Sequence, residues 1–274
     1  MKNLLENEEI FVSKFLASIF FSRILSTFIR ESKFSFNEIH SLVEKAASGL
    51  SELGILPGDT VTLYAANSWE WIISYYAIAR LGAVINPVNT MLTTEELEYV
   101  AKDCGAKAII TSSDKANGIR HITEVSDVNF IISFGANADK SVVSFDTLIA
   151  THTKAPNPTK IAPTSLSTIG YTSGTTGHPK GAMQSHQAVI LNGAMTSQMQ
   201  MRGHDDCVIS ALPCPHVYAN VIMMSMMMFG SKLVLHRTFD AETLLADIEK
   251  HQATIVDGVP AMYMFMLNSP ALSK

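Results

Sequence analysis

The segment from Tyr171 to Gly181 has the sequence YTSGTTGHPKG and lies between two apolar stretches. Its glycines allow backbone conformations that a side chain would forbid. Its N–H groups and hydroxyls are hydrogen-bond donors, and Lys180 adds a mobile positive charge. This combination is typical of a loop that folds around an anion such as a polyphosphate. The spacing is not that of a Walker A motif, because Gly181 follows Lys180 where that motif has Ser or Thr.

The residues on either side predict how the chain enters and leaves this segment. Leu166–Thr172 reads as a strand that ends at the loop. Ser185 can cap a helix that runs from His186 to about Met201. The loop is therefore expected between a strand and a capped helix.

Short apolar runs and helical patterns alternate along the rest of the chain. Strands are predicted at Val61–Ala65, Val84–Pro87, Lys107–Thr111, Asn129–Phe134, Cys207–Leu212, Lys232–Leu235 and Thr254–Val256. Helices are predicted at Asn37–Leu53, Trp69–Leu81, Thr94–Asp103, Val217–Gly230 and Ala241–His251, and a last helix begins at Pro260. The alternation predicts an α/β fold with parallel sheets and crossover helices on both faces.

The composition favours a large interior. Charged residues make up 16% of the 274 residues, below the roughly 25% of an average globular protein, and hydrophobic residues make up 47%. The chain can therefore bury a large core, or a partner covers part of its apolar surface. A net charge of −5 argues against a nucleic-acid-binding surface.

The cysteines predict neither disulfides nor a metal site. Cys104, Cys207 and Cys214 show no paired spacing, which is typical of reduced thiols in a cytoplasmic protein. The intervals between Cys207, Cys214 and His216 do not match the usual zinc spacings.

Two apolar stretches raise the question of membrane insertion. Phe11–Ile29 contains Lys14 and Arg23, so it is expected to form an amphipathic or docked helix. Val217–Gly230 is uncharged but covers only about fourteen residues, short of the roughly twenty that a span needs, and is expected to be a buried helix. No transmembrane span is predicted, and the acidic residues near the N-terminus do not fit a secretory leader.

Four stretches resemble the adenylate-forming (AMP-binding) superfamily. YTSGTTGHPKG resembles its phosphate-loop motif, with every glycine, the Thr-Thr pair and the lysine in place. Leu81–Asn89, Leu212–Tyr218 and Gly258–Tyr263 are similar to other family segments and occur in the same order. The last two favour the acyl-CoA synthetases. Peptide-synthetase adenylation domains and luciferase-like enzymes remain open as alternatives.

The resemblance covers about residues 35–270, which are interpreted as part of an adenylate-forming N-terminal domain. Residues 1–34 match poorly, and the strands that usually open the domain are not apparent there. A linker is expected near residues 151–163, which contain three prolines.

The resemblance implies a two-step reaction. A carboxylic acid, in the acyl-CoA synthetases often a fatty acid, reacts with ATP to give an acyl-adenylate, and coenzyme A then displaces AMP. The resemblance also implies Mg²⁺, which would bind together with ATP. No protein metal ligands are predicted in this chain.

The resemblance also implies roles for individual residues. His216 and Lys180 would be catalytic, although Pro215 replaces the aromatic residue that usually precedes the histidine. The expected ligands of the phosphates are Thr172, Ser173, Gly174, Thr175, Thr176, Gly177 and Lys180. The expected acyl-pocket residues are His216, Tyr218, Val259, Pro260 and Met262. The plainer alternatives are a flexible surface loop, a hydrogen-bonded core histidine and ordinary core residues.

The later family motifs are not found before Lys274. These are a Tyr-Gly-x-Thr-Glu segment, a ribose-binding aspartate, a hinge and the C-terminal domain with its catalytic lysine. The chain is therefore expected to be roughly the first half of such an enzyme. It could also be a catalytically inactive fragment, or a nucleotide- or acyl-binding module that pairs with a second polypeptide.

Overall fold

A computed structural model of the chain describes residues 26–29, 32–135, 141–157, 160–172 and 178–273. The strands are β1 Ser26–Ile29, β2 Ser32–Ser35, β3 Thr60–Tyr64, β4 Val84–Pro87, β5 Ala106–Ser112, β6 Phe130–Phe134, β7 Val143–Ser144, β8 Leu166–Thr172, β9 Lys180–Ser185, β10 Cys207–Ser210, β11 Lys232–Leu235 and β12 Ile255–Asp257. The helices are α1 Phe36–Glu52, α2 Trp69–Leu81, α3 Thr94–Asp103, α4 Ser113–Ala116, α5 Ile122–Val125, α6 Phe145–Thr151, α7 His186–Met199, α8 Val217–Phe229, α9 Ala241–His251 and α10 Pro260–Leu267.

The described strands form two sheets. One has five strands in the order β12-β10-β11-β1-β2, and the other has seven in the order β7-β6-β5-β3-β4-β8-β9. The pairs β1–β2 and β8–β9 are antiparallel, whereas the remaining pairs are parallel. The predicted α/β class with mostly parallel sheets and crossover helices is confirmed.

Buried polar side chains fix the middle of the seven-stranded sheet. The Thr62 hydroxyl donates to Asn86 Oδ1 at 2.9 Å, and Asn86 Nδ2 donates to the Ile169 carbonyl at 2.8 Å. These bonds tie β3, β4 and β8 together in addition to the backbone ladder. Since a buried polar group is costly unless it is paired, the network also favours one arrangement of these strands.

Three helices contribute many of the residues of the main core. The side chain of Ser35 caps α1 and Glu38 completes a capping box, while the apolar face of this helix is buried. Helix α2 is buried almost all round, and the Tyr76 hydroxyl on it donates to the Met223 carbonyl in α8 at 3.0 Å. Met223–Met227 is buried throughout, which supports a packing role for these methionines.

None of the helices in the described ranges is both long and apolar enough to cross a bilayer.

The N-terminal hairpin corrects the sequence interpretation. Residues 26–29, expected in a helix, form β1, and β2 follows it in antiparallel pairing. The remainder of the predicted helix lies outside the described residues. Strand β1 pairs in parallel with β11, in the register Phe28 with Val234. A partner so distant in sequence leaves no local pattern, which is why these two short strands are not apparent from the sequence.

The segment expected to be a linker packs against α2. Thr151 is the last residue of α6, and the described residues between it and β8 form no helix or strand. Ala155 is nevertheless buried, and Arg80 Nη2 donates to the Pro156 carbonyl at 3.1 Å. Gly82 ends α2 with a φ of 74°, and a Cβ atom there would lie 2.2 Å from Ile161 Cδ1. The segment therefore lies close against the end of this helix.

Candidate functional site

The strands on either side of the Gly/Thr loop form an antiparallel hairpin. Thr172 pairs with Lys180, and Tyr171 pairs with Gly181. The second strand, β9, is not predicted from the sequence. The loop's central residues 173–177 lie outside the described residues, so the phosphate roles of Ser173, Gly174, Thr175, Thr176 and Gly177 stay predictions. Lys180 is exposed on β9, directly across from Thr172.

Helix α3 contacts both sides of the loop. The Tyr171 hydroxyl donates to the Asp103 carboxylate, and burial together with this acceptor raises the pKa of Tyr171 far above its usual range. On the other side, the His178 ring stacks on Tyr99 with a centroid distance of 4.4 Å and an interplanar angle of 17°. His178 is exposed, yet its ring has a fixed partner.

Gly181 is required by a close approach within the hairpin. A Cβ atom at this position would lie 2.8 Å from Ile169 Cγ2 and 3.2 Å from the Tyr171 ring. The last glycine of the motif therefore makes room for the aromatic ring that α3 holds.

A cavity of about 320 Å³ lies beside the hairpin. It is enclosed by the ends of β4 and β8, by β9, by α7 and by the segment that leads into α8. The lining residues are Pro87, Thr168, Gly170, Tyr171, Thr172, Ala182, Gln184, Val189, Asn192, Cys214, Pro215, His216, Val217 and Asn220. Ligand sites in parallel α/β sheets lie at the carboxyl ends of the strands, which is where Pro87 and Thr172 are found.

His216 combines a capping role with a position on the cavity wall. It is the N-cap of α8, and its Nδ1 accepts a hydrogen bond from the Tyr218 N–H at 3.3 Å. In the neutral ring an accepting Nδ1 leaves the proton on Nε2. His216 can therefore donate a hydrogen bond to an anionic oxygen. The N-terminus of α8, which borders the cavity, also favours negative charge.

Asn67, which belongs to no motif of the sequence, holds the turn that leads to His216. Its Nδ2 donates to the carbonyls of Leu212 and His236 at 2.8 and 2.9 Å, and its Oδ1 accepts from the Cys214 N–H at 2.7 Å. Asn67 follows β3 of the seven-stranded sheet, whereas its partners follow β10 and β11 of the other sheet. One carboxamide thus joins the two sheets next to the cavity. The only local signal is a polar residue directly before the Ser68 cap of an apolar helix.

Burial disfavours the thiolate form of the two cysteines near the site. Cys214 lines the cavity, and burial raises its pKa far above the ordinary thiol value. Burial raises the pKa of Cys104 to about 11. Both side chains therefore remain thiols near neutral pH and do not supply a nucleophilic thiolate.

The predicted acyl-pocket residues are not all brought together. His216 and, from the phosphate set, Thr172 line the cavity, but the described lining does not include Tyr218, Val259, Pro260 or Met262. The Tyr218 hydroxyl donates to Asp257 Oδ1 at 2.9 Å. Met262 is buried in the core, while Val259 and Pro260 are exposed where α10 begins. The acyl-pocket roles of these four residues stay predictions.

Comparison with known proteins identifies the family. The family model described as AMP-binding enzyme matches residues 22–274, so the matched region includes the N-terminal hairpin. 4-Coumarate–CoA ligase 5 of Oryza sativa subsp. japonica is 31% identical over 250 residues, which are 88% of this chain and 45% of that ligase. The chain thus spans about half the length of the curated relatives it matches.

Two solved structures share the fold of this chain over almost its whole length. ATP-bound MatB from Rhodopseudomonas palustris matches with a TM-score of 0.85 and 28% identity, over 94% of this chain and 51% of that one. The inhibitor-bound N-terminal domain of FACL13 from Mycobacterium tuberculosis matches with a TM-score of 0.87 and 25% identity, over 98% of this chain and 67% of that one. This chain belongs to the AMP-binding enzyme family.

Proposed function

We propose that this chain carries the ATP-phosphate and acid-binding part of an enzyme that converts a carboxylic acid to an acyl-adenylate and then to an acyl-CoA. The observation that supports this most directly is the β8–β9 hairpin. It places Thr172 opposite Lys180, on either side of the Gly/Thr loop, and next to the cavity that His216 lines. The similarity to ATP-bound MatB supports ATP as the nucleotide.

The first step brings two anions together. A carboxylate oxygen attacks the α-phosphorus of ATP, the bond to the bridging oxygen of the β-phosphate breaks, and pyrophosphate leaves. Lys180 and the loop donors Ser173, Thr175 and Thr176 would hold the β- and γ-phosphates and offset their charge. The Nε2–H of His216 would orient the acid or the α-phosphate. In the second step the thiol of coenzyme A attacks the acyl carbon, and AMP leaves.

Mg²⁺ would reach the site with ATP. Among the described residues no group of three or more His, Cys, Asp or Glu side chains could hold a metal ion. The described residues alone therefore do not form a Mg²⁺ site. The positioning of the phosphates and the acid depends on Lys180, the Gly/Thr loop and His216.

We propose a fatty acid as the acid substrate. Val189, Pro215 and Val217 give the cavity an apolar wall that suits an alkyl chain. The similar proteins include both a 4-coumarate–CoA ligase and a long-chain-fatty-acid–CoA ligase, which supports acyl-CoA ligation but not one class of acid. The choice between alkyl and aromatic acids therefore requires a direct comparison of substrates.

Acid-dependent exchange between ATP and labelled pyrophosphate tests the proposed function. We expect exchange with decanoate above the rate without acid, and less exchange with 4-coumarate. Preference for 4-coumarate would overturn the fatty-acid proposal alone. If no acid in a panel of alkyl, aromatic and dicarboxylic acids stimulates exchange, and the chain does not bind ATP, the proposed function is wrong. Binding of ATP without exchange would instead support the alternative of a nucleotide-binding module.

We also propose that a polypeptide equivalent to the remaining part of the longer relatives covers α10, either in the same chain or as a second subunit. The support is an apolar face: Met264 and Phe265 are each 64% exposed and Leu267 is 70% exposed. The neighbouring strand β12 is at the edge of its sheet. An exposed apolar patch beside an open strand edge is typical of an interface.

We also propose a cytoplasmic location and no nucleic-acid partner. The three free cysteines support the location, and the acidic net charge argues against binding to nucleic acid.

The exposed face of α10 should make the isolated chain self-associate. We expect sedimentation velocity to show oligomers that increase with concentration. Met264→Lys combined with Phe265→Lys should reduce them without lowering the melting temperature, because both side chains are largely exposed. Met91→Lys, at an 85% exposed methionine outside this face, serves as the control. A chain that stays monomeric at high concentration would contradict the proposed covering surface.

A further inference from the structure

Two charged side chains are buried against each other near the site. Among the described residues, Arg202 and Asp257 are the only Arg, Lys, Asp or Glu residues in the buried interior. Their side chains are 0% and 4% exposed, and Arg202 Nη2 lies 2.6 Å from Asp257 Oδ2. Neither residue belongs to a motif identified in the sequence.

The backbone and side-chain contacts of Arg202 fix its position. Met201, just before it, adopts a φ of 52°, which is unusual for a residue with a side chain. The guanidinium then donates through Nε to Gln200 Oε1 at 2.8 Å and through Nη1 to Ser225 Oγ at 3.0 Å. All three guanidinium nitrogens thus donate to different side chains, and one of these partners lies in α8.

Asp257 joins Arg202 to the beginning of α8. Its Oδ1 accepts a hydrogen bond from the Tyr218 hydroxyl at 2.9 Å, and its backbone carbonyl accepts from Ser210 Oγ at 2.8 Å. Burial, together with this carboxylate, raises the pKa of Tyr218, so the phenol remains a donor near neutral pH. Asp257 therefore connects β10, β12 and the first turn of α8.

The first turn of α8 carries part of the cavity wall. His216, Val217 and Asn220 line the cavity, and Tyr218 lies between them in sequence on the same turn. Successive helical residues are rotated by about 100°. Anchoring the Tyr218 side chain on Asp257 therefore fixes the rotation of the helix and the direction in which the other three residues point.

Stability alone does not explain a buried ion pair. Desolvation of two charges offsets much of their attraction, and apolar replacements of similar size are often as stable. A pair with satisfied hydrogen bonds has the further property that it selects one geometry. Here that geometry is the orientation of α8 relative to β12.

We propose that Arg202 and Asp257 are positioning residues for acid activation: they hold Tyr218, and through it they orient His216, Val217 and Asn220 toward the cavity. This inference rests on the proposed function only for the identity of the ligand that binds in the cavity. The structural part can be tested without any substrate.

Tyr218→Phe is the sharpest test, because it removes only the hydroxyl that joins the pair to α8. The imidazole of His216 is followed by NMR, with His216→Gln used for assignment, and hydrogen exchange is measured at the Asn220 amide, which donates to the His216 carbonyl. We expect a shifted His216 signal and about tenfold faster exchange, the effect of losing one charge-assisted hydrogen bond. The melting temperature should change little.

Tyr263→Phe is the matched control, since the Tyr263 hydroxyl donates to the Val256 carbonyl, next to Asp257, at 2.7 Å. It should leave the His216 signal unchanged. Asp257→Asn leaves the Arg202 charge without its counterion and is expected to unfold the chain, so the test does not depend on it. An unchanged His216 signal and unchanged Asn220 exchange in Tyr218→Phe would overturn the proposal.

A kinetic measurement separates this proposal from the proposed function. Where exchange is observed, Tyr218→Phe should raise the KM for the acid about fivefold with a smaller effect on the KM for ATP, because the lost Tyr218–Asp257 hydrogen bond orients the cavity wall and not the Gly/Thr loop. Equal effects on both constants would count against positioning of the acid. If the wild-type chain neither shows exchange nor binds ATP, the proposed function fails, while the NMR result still decides whether the pair orients α8.

Discussion

Asn67→Ala should lower the free energy of unfolding by about 3 kcal/mol or more. The substitution removes one acceptor and two donor bonds, and it leaves the Leu212 and His236 carbonyls and the Cys214 N–H without their partner. Each buried polar group that loses its partner costs about 1–3 kcal/mol. Urea unfolding followed by circular dichroism measures this loss. The loss is large, because the total free energy of unfolding of a domain is only about 5–15 kcal/mol.

Asn268→Ala is the control for this measurement. Its side chain is exposed and donates to the Met264 carbonyl within the last turn of α10, so its removal should change stability by less than about 0.5 kcal/mol. Because Asn67 also fixes the turn before His216, the Asn67→Ala variant should bind ATP and acid weakly even at temperatures where it is folded. A loss below about 1 kcal/mol would mean that water replaces the carboxamide and that the two sheets do not depend on it.

Local signals explain why several elements could be predicted from the sequence. The bounds of α2 agree with the predicted range because Ser68 caps the helix and Gly82 ends it in the left-handed region. The strand Leu166–Thr172 and the helix Ala241–His251 also agree. In each case the apolar pattern and the residues that end the element lie within a few positions of each other.

Elements defined by distant partners could not be predicted in this way. Strand β9 lies at the edge of its sheet with most side chains exposed, so it has no apolar alternation, and only its pairing with β8 makes it a strand. Strand β1 depends on β11 in the same manner. The polar residues that shape the site have the same property, because Asn67 and Arg202 bind groups far away in the sequence. The resemblance implied the chemistry, whereas the roles of Asn67 and Arg202 follow only from the fold.

Lys180→Ala should reduce acid-dependent exchange about 100-fold while leaving the fold intact. Lys180 is exposed on β9 and pairs through its backbone with Thr172, so removal of its side chain leaves the hairpin ladder unchanged. An interaction that offsets charge on a reacting phosphate contributes about 3 kcal/mol, which corresponds to roughly 100-fold in rate. Lys180→Arg keeps the charge but not the compact ammonium, and it should retain part of the rate.

The control must separate the position of Lys180 from its charge. Lys154→Ala changes the net charge by the same amount at an exposed residue that does not line the cavity, and it should exchange at the wild-type rate. ATP binding by titration calorimetry should weaken for Lys180→Ala and stay unchanged for Lys154→Ala. Equal losses in both variants would indicate a general electrostatic effect. Wild-type exchange in Lys180→Ala would mean that the central loop residues hold the phosphates without help from the lysine.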